Sequence, residues 1–174
     1  MARSSHPAPR VTADMLRDNR LFRGLSDEML AHLAAVLPAE TAAPGEVLIT
    51  EGEMAGDMFL VLAGEVEVLH HGGTDHDVTV ALLGTGDWAG EMAILGDERR
   101  SATVRAVSPT LVLRMTTADV RTHLRDRDVG QYACLIENIA RELSRRLRVA
   151  DSLIAGATAS MAGEYIRRTR PKPG

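Results

Sequence analysis

A mainly β domain, built as a sandwich or barrel and flanked by helices, is the fold that this 174-residue sequence predicts. Short β-branched or alternating runs succeed one another between Glu40 and Met115: EVLIT, DMFLVLAG, EVEVLHH, DVTVALLG, ATVRAV and TLVLRM. Ten of the fifteen glycines fall between Gly45 and Gly96, where they separate those runs as turn signals. Beyond Thr116 the apolar residues recur at three and four instead, which marks helix.

Two short helical segments precede the strands, one near Ala13 to Leu21 and one opening after Ser26. Ser26 is a good N-cap, Asp27 and Glu28 suit the first turn, and Pro38 stops the run. Within the β region, Val66, Leu69 and VTVALL suggest strands with one face in and one out, and HHGGTDH reads as a hairpin tip. Thr117 or Asp119 is expected to cap a short helix through ADVRTHL. A long helix follows from about Val129 to Ile154, with Leu135, Ile139, Leu143, Leu147 and Leu153 on one stripe and arginines on the other. At about 1.5 Å per residue it spans some 40 Å, more than a cap on a barrel needs, so its stripe calls for a partner such as a second copy of the helix.

These readings divide the chain into a mobile lead at 1–11, a domain at 12–125, the long helix at 126–156 and a basic tail at 157–174. The net charge of −4 hides a polarity: residues 141–174 hold eight Arg or Lys against three Asp or Glu, and the remainder twelve against twenty-one. A solvated helix face is the plain explanation, and an acidic partner the sharper one.

Composition closes off several functions. Aromatic residues make up 3% of the chain, too few for a stacking platform for bare bases. Cys134 is the single cysteine, which rules out an internal disulfide framework or a multi-cysteine metal site and suits a reducing, cytoplasmic setting. No apolar run reaches the length of a membrane span, and no leader is expected. His70, His71, Asp75 and His76 on the hairpin lack convincing metal-ligand geometry. No nucleophile elbow or P-loop occurs, so no enzyme is expected.

The stretch GEMAILGDERRSATV, residues 90–104, carries the most chemistry. A helix opening at Glu91 presents N–H groups that favour an anion, and the following loop returns Arg99 and Arg100 toward it. A guanidinium grips phosphate through two parallel bonds and cannot lose its charge. Glu91 would repel that anion, so it needs another task, such as accepting from a sugar hydroxyl beside the phosphate. A structural ion pair between Glu91 and Arg100 is the plain alternative.

This stretch resembles the phosphate-binding cassette of the cyclic nucleotide-binding domain family. Trp88, then Gly90-Glu91-Met92-Ala93-Ile94, then Arg100-Ser101-Ala102-Thr103-Val104 follow its pattern. Upstream, EGEMAGDMFLVLAGEVEV carries Gly52, Gly56, Asp57, Phe59 and Gly64 at the family's spacing, and the resemblance covers roughly Leu21 to Val120. It implies an eight-strand double-stranded jelly-roll, or β-roll, with helices at both ends, and a ligand, cyclic AMP or cyclic GMP, with no cofactor. The ligand-binding residues it implies are Gly90, Glu91, Met92, Arg100, Ser101 and Ala102. Glu91 would take the ribose 2′-hydroxyl and Arg100 the cyclic phosphate, with backbone N–H groups near Gly90 and Ala102 and the Ser101 hydroxyl assisting. Arg99 stands where many members have proline, and the SATV register selects Arg100.

SRRLRVADS, residues 144–152, is similar to the dimerising helix of the catabolite activator protein group, with Ala150 and Asp151 where its activators place hydroxyls for adenine. That departure leaves the preferred base open. After residue 155 a helix-turn-helix has no room, so specific nucleic acid is not an expected partner. The expectation is a stand-alone receptor, homodimeric through its C-terminal helix, signalling to an unknown protein effector and away from membranes. A ligand-free interaction scaffold is the alternative, and a DNA-binding regulator a weaker one.

Overall fold

The computed structural model describes residues 10–72, 76–96 and 99–169. The expected lead falls almost wholly outside these, as do Asp75 and the last residues of the expected tail. The described chain divides into two compact units, one ending at Ile136 and one beginning at Glu137.

The first unit is the predicted β-roll. Strands β1 (Ala39–Ala42), β2 (Val47–Ile49), β3 (Asp57–Ala63), β4 (Glu65–Gly72), β5 (His76–Gly84), β6 (Trp88–Ala89), β7 (Thr103–Ala106) and β8 (Thr110–Thr116) form two four-stranded sheets. Their orders are β1-β8-β3-β6 and β2-β7-β4-β5, with every pairing antiparallel. Ile49, Phe59, Val61, Val66, Ala89, Val104 and Val112 fill the space between the sheets. Met58, Leu60, Leu113 and Met115 point the other way and are buried as well. With both faces covered, β3 reads as the unbroken apolar run MFLV, whereas β4, with one face in solvent, reads EVEV. Each such side chain contributes roughly 1.5–3 kcal/mol by its burial.

The helices of this unit start where their caps dictate. In α1 (Ala13–Arg17) Thr12 accepts from Met15 N–H; Asn19 then caps a separate 3-10 turn, Arg20–Phe22, so the expected single segment to Leu21 is broken in two. Ser26 caps α2 (Asp27–Val36), as its sequence predicts. After the roll, Thr116 rather than Thr117 or Asp119 is the N-cap of α4 (Thr117–Asp119). It forms a capping box with Asp119, whose carboxylate accepts from Thr116 N–H at 2.8 Å. The chain then winds as a π-helix over Val120–Arg125. Leu16, Leu21, Phe22, Leu33, Val120, Leu124 and Leu135 are buried in this unit.

Two strand readings change. Opposite Val68 and Leu69 the partner strand β5 carries an extra residue, Val80, and on β4 both Val66 and Leu69 are buried, which breaks the alternation. In β5, an edge strand, Val78, Val80 and Leu82 face solvent, with Leu82 59% exposed; of the VTVALL run only Leu83 packs onto the core.

Helix α5 begins at Val129, as expected, but runs to Thr169 instead of stopping near 156. No proline intervenes before Pro171, and AGATASMAGEY is rich in alanine. Gly156 and Gly163 each cost about 1 kcal/mol without ending it. Much of the expected basic tail is therefore helix. Among the described residues, no helix is long and apolar enough to cross a membrane.

Candidate functional site

The pairing of β6 with β3, Phe59 opposite Ala89 and Leu60 opposite Trp88, carries the chain back toward Asp57 as it leaves β6. There it turns at Gly90, with φ +85°. A Cβ on Gly90 would lie 2.9 Å from Nη1 of Arg100, 2.9 Å from the Asp57 carbonyl oxygen and 3.0 Å from Cδ1 of Ile49. Glycine is required twice over, by its left-handed backbone and by the guanidinium seated against it. Glu91 follows in the N-cap position of α3 (Met92–Leu95), only 6% exposed, and gives α3 no side-chain cap.

The returning arm is stitched to the segment before β3. Gly52 N–H donates to Arg100 O and Arg100 N–H to Glu53 O, each at 2.9 Å, and Arg99 bridges Met54. The two arginines then part. Arg99 is exposed, its Nη1 donating to Gly52 O at 2.7 Å, while the Arg100 side chain is 9% exposed. Nη1 of Arg100 donates to the Asp57 carbonyl oxygen at 2.7 Å, and Nη2 donates to Oδ1 of the Asp57 carboxylate. Oδ2 of Asp57 accepts from Nε of Arg114 on β8 at 2.7 Å. That bond, foremost, raises the pKa of Arg114 above its ordinary value. Asp57 thus orients Arg100 from one side while Arg114 holds Asp57 from the other.

Of the sequence-predicted residues, Gly90 meets Arg100, and the Ser101 hydroxyl lies 3.9 Å from Sδ of Met92. The two arms of the cassette therefore touch at two places. Ala102 is half-buried in the bend after Ser101. Asp57 takes two of the five guanidinium donors of Arg100, and the others suit an oxyanion. Sequence reasoning placed Asp57 within a spacing pattern but gave it no task and missed Arg114. The available signal was an acid directly after Gly56 at the head of a buried strand. Trp88 is buried in the roll, with the Arg20 guanidinium 6.0 Å from its ring centroid.

On the hairpin, His71 Nδ1 lies 2.8 Å from Oδ1 of Asp77, and His70 lies 3.6 Å from Glu51. Among the described residues no cluster of three or more His, Cys, Asp or Glu is arranged to hold a metal ion.

Residues 39–127 match the profile of the family described as cyclic nucleotide-binding domain. A cyclic AMP receptor protein of Thermus thermophilus is 30% identical over 138 residues, 78% of this chain and 61% of the receptor. A potassium channel of Oryza sativa is 28% identical over 152 residues, 87% of this chain but 17% of the channel. The chain thus spans less than two thirds of either relative. The crystal structure of the N-terminal domain of a transcriptional regulator from Streptomyces coelicolor superposes with a TM-score of 0.67 and 28% identity. It covers 76% of this chain and 94% of that one.

Proposed function

The chain belongs to the cyclic nucleotide-binding domain family, and on that premise we propose that it is a regulatory receptor for cyclic AMP or cyclic GMP. The observation that carries the reading is the seat of Arg100, pressed against Gly90 at the opening of α3 and aligned by Asp57. In the bound state the remaining Arg100 donors take the cyclic phosphate, helped by the Ser101 hydroxyl and backbone N–H groups near Gly90 and Ala102. Met92 borders the same site. Glu91, at the head of α3, accepts from the ribose 2′-hydroxyl.

Signalling then passes to the helices after the roll. Thr117 Oγ1 lies 3.2 Å from Ala93 O on α3 and 3.3 Å from Gly56 O, so a shift of the cassette helix is felt at the start of α4. Only a ligand with different affinities for two arrangements can drive such a change. The exposed apolar residues Leu147, Leu153 and Ile154 of α5 support pairing with a second copy, and the repositioned helices would act on a protein effector. The second reading, a ligand-free scaffold, is favoured by the engagement of Arg100 with Asp57, which is also how a purely structural ion pair would look.

Calorimetric titration with cyclic AMP and cyclic GMP in parallel separates the two. Saturable binding that Arg100→Ala weakens by about tenfold to a hundredfold or more supports the receptor, since a charge-assisted contact of this kind is worth about 1.5–3 kcal/mol or more. No heat and no thermal shift with either nucleotide leaves the scaffold.

A further inference from the structure

His32 on α2 and His123 in the π-helical segment meet ring to ring. Nε2 of His32 lies 3.2 Å from Nδ1 of His123, with the ring centroids 5.1 Å apart in an edge-on arrangement. Neither residue belongs to the cassette. Their bond ties a helix that precedes the roll to the segment that leaves it, and π-helical turns recur at functional positions. We propose that the His32–His123 contact is a proton-operated clasp, which holds the π-helical segment against α2 at neutral pH and releases it on acidification.

The chemistry follows from counting protons. With both rings neutral, one nitrogen donates and the other accepts. One added proton leaves a cationic ring that still donates to a neutral one. A second turns both facing nitrogens into donors, and the bond is lost. The surroundings work against that second charge. Arg127, two residues past the π-helical segment, is held 3.1 Å from Glu28, one turn before His32 on α2, so that carboxylate is already paired. Arg121 and Arg125 add positive charge to the π-helical segment, with Asp119 and Asp126 at its ends, and Val129–Ile136 of α5 contributes no charged side chain. Burial, Arg127 and His123, in that order, lower the pKa of His32 below its ordinary 6.5, and Glu28 opposes them. A group depressed in this way stabilises the fold above the unfolded value and loses that contribution as pH falls through the folded one. The clasp is therefore shut at neutral pH and opens only when both rings are charged, as pH falls below 6.5 and through the lowered pKa of His32.

The experiment uses the full, nucleotide-free chain, so failure of the receptor reading leaves it intact. Proton NMR follows the His32 resonances through a pH titration. Amide exchange of residues 117–128, corrected for its intrinsic pH dependence, is compared at about pH 7.5 and about pH 5. We expect His32 to titrate below its ordinary 6.5 and protection over 120–125 to fall about tenfold at the lower pH. His32→Gln keeps a donor and an acceptor but cannot take a proton, so it should hold protection constant across the same range. An ordinary His32 midpoint, or the same loss of protection in wild type and His32→Gln, overturns the clasp. Should His32→Gln fail to fold, His123→Gln serves the same comparison, and the wild-type titration decides by itself.

Discussion

Strands of the roll lean on partners far away in sequence, whereas Arg141, Arg145, Arg146 and Arg148 of α5 each pair with a residue three or four positions away. Leu60 lies opposite Leu113 and Val66 opposite Ala106. In α5, Arg141 reaches Glu137 at 2.8 Å, Arg145 and Arg146 reach Glu142 at 2.6 and 3.2 Å, and Arg148 reaches Ser144 at 3.2 Å. Leu147 is 62% exposed and Leu153 69%. The roll is held by apolar burial, which is cooperative and nearly indifferent to salt. On α5 Ile139 is fully buried, but from Leu147 to Ile154 the large apolar side chains are exposed, and there the helix relies on propensity, preceded by ion pairs worth about 0.3–0.5 kcal/mol each. The apolar side chains of α5 at Leu147, Leu153 and Ile154 are exposed, and under the proposal above a second copy would cover them.

The sharpest way to break this comparison is Leu113→Ala. It removes a fully buried side chain and should cost about 2–5 kcal/mol in urea unfolding of the roll. Gly90→Ala comes next. Its left-handed backbone alone costs about 1–2 kcal/mol, and the new methyl group displaces the Arg100 guanidinium, so nucleotide affinity should fall more steeply than the melting temperature. A Gly90→Ala protein that binds nucleotide normally would detach the cassette from this geometry.

Two smaller effects probe α5. The Arg145 hydrogen bond, and after it Arg146, hold Glu142 at a pKa of about 2, down from 4.5. A carboxylate depressed in this way contributes stability above pH 4.5, and the contribution is lost as pH falls toward 2. Helicity followed by circular dichroism should decline across that window in wild type and less so in Glu142→Gln. An identical decline in both would show the pairs to be idle. Smallest is Leu153→Ala, expected to change the stability of an isolated chain by under about 0.5 kcal/mol. Its effect should appear instead as weaker self-association in sedimentation experiments; a loss as large as that of Leu113→Ala would mean the two parts are not built differently after all.

Legibility from sequence varied with how local the cause was. Ser26 announced α2 because an N-cap acts over three residues, and the β-branched runs announced six strands. β1 was missed because AETA carries little strand signal; it is extended because β8 runs alongside it, with Glu40 opposite Val112 and Ala42 opposite Thr110. β6 is two residues long, too short for any period to show. In the cassette, Gly90, Glu91 and Arg100 stood out through their spacing. The Asp57–Arg114 support did not, since its members lie on strands whose adjacency no local pattern records.

The sequence by itself determined the mainly β class, the start of α5 and the cassette with its glycine, because periodicity, capping and a left-handed backbone are properties of neighbouring residues. Only the tertiary structure decided that Arg100 turns inward while Arg99 faces solvent, that His32 meets His123, and that the apolar face of β5 is left in water. Those outcomes depend on which distant segment arrives alongside. A guanidinium, an imidazole or a valine takes its role from that neighbour.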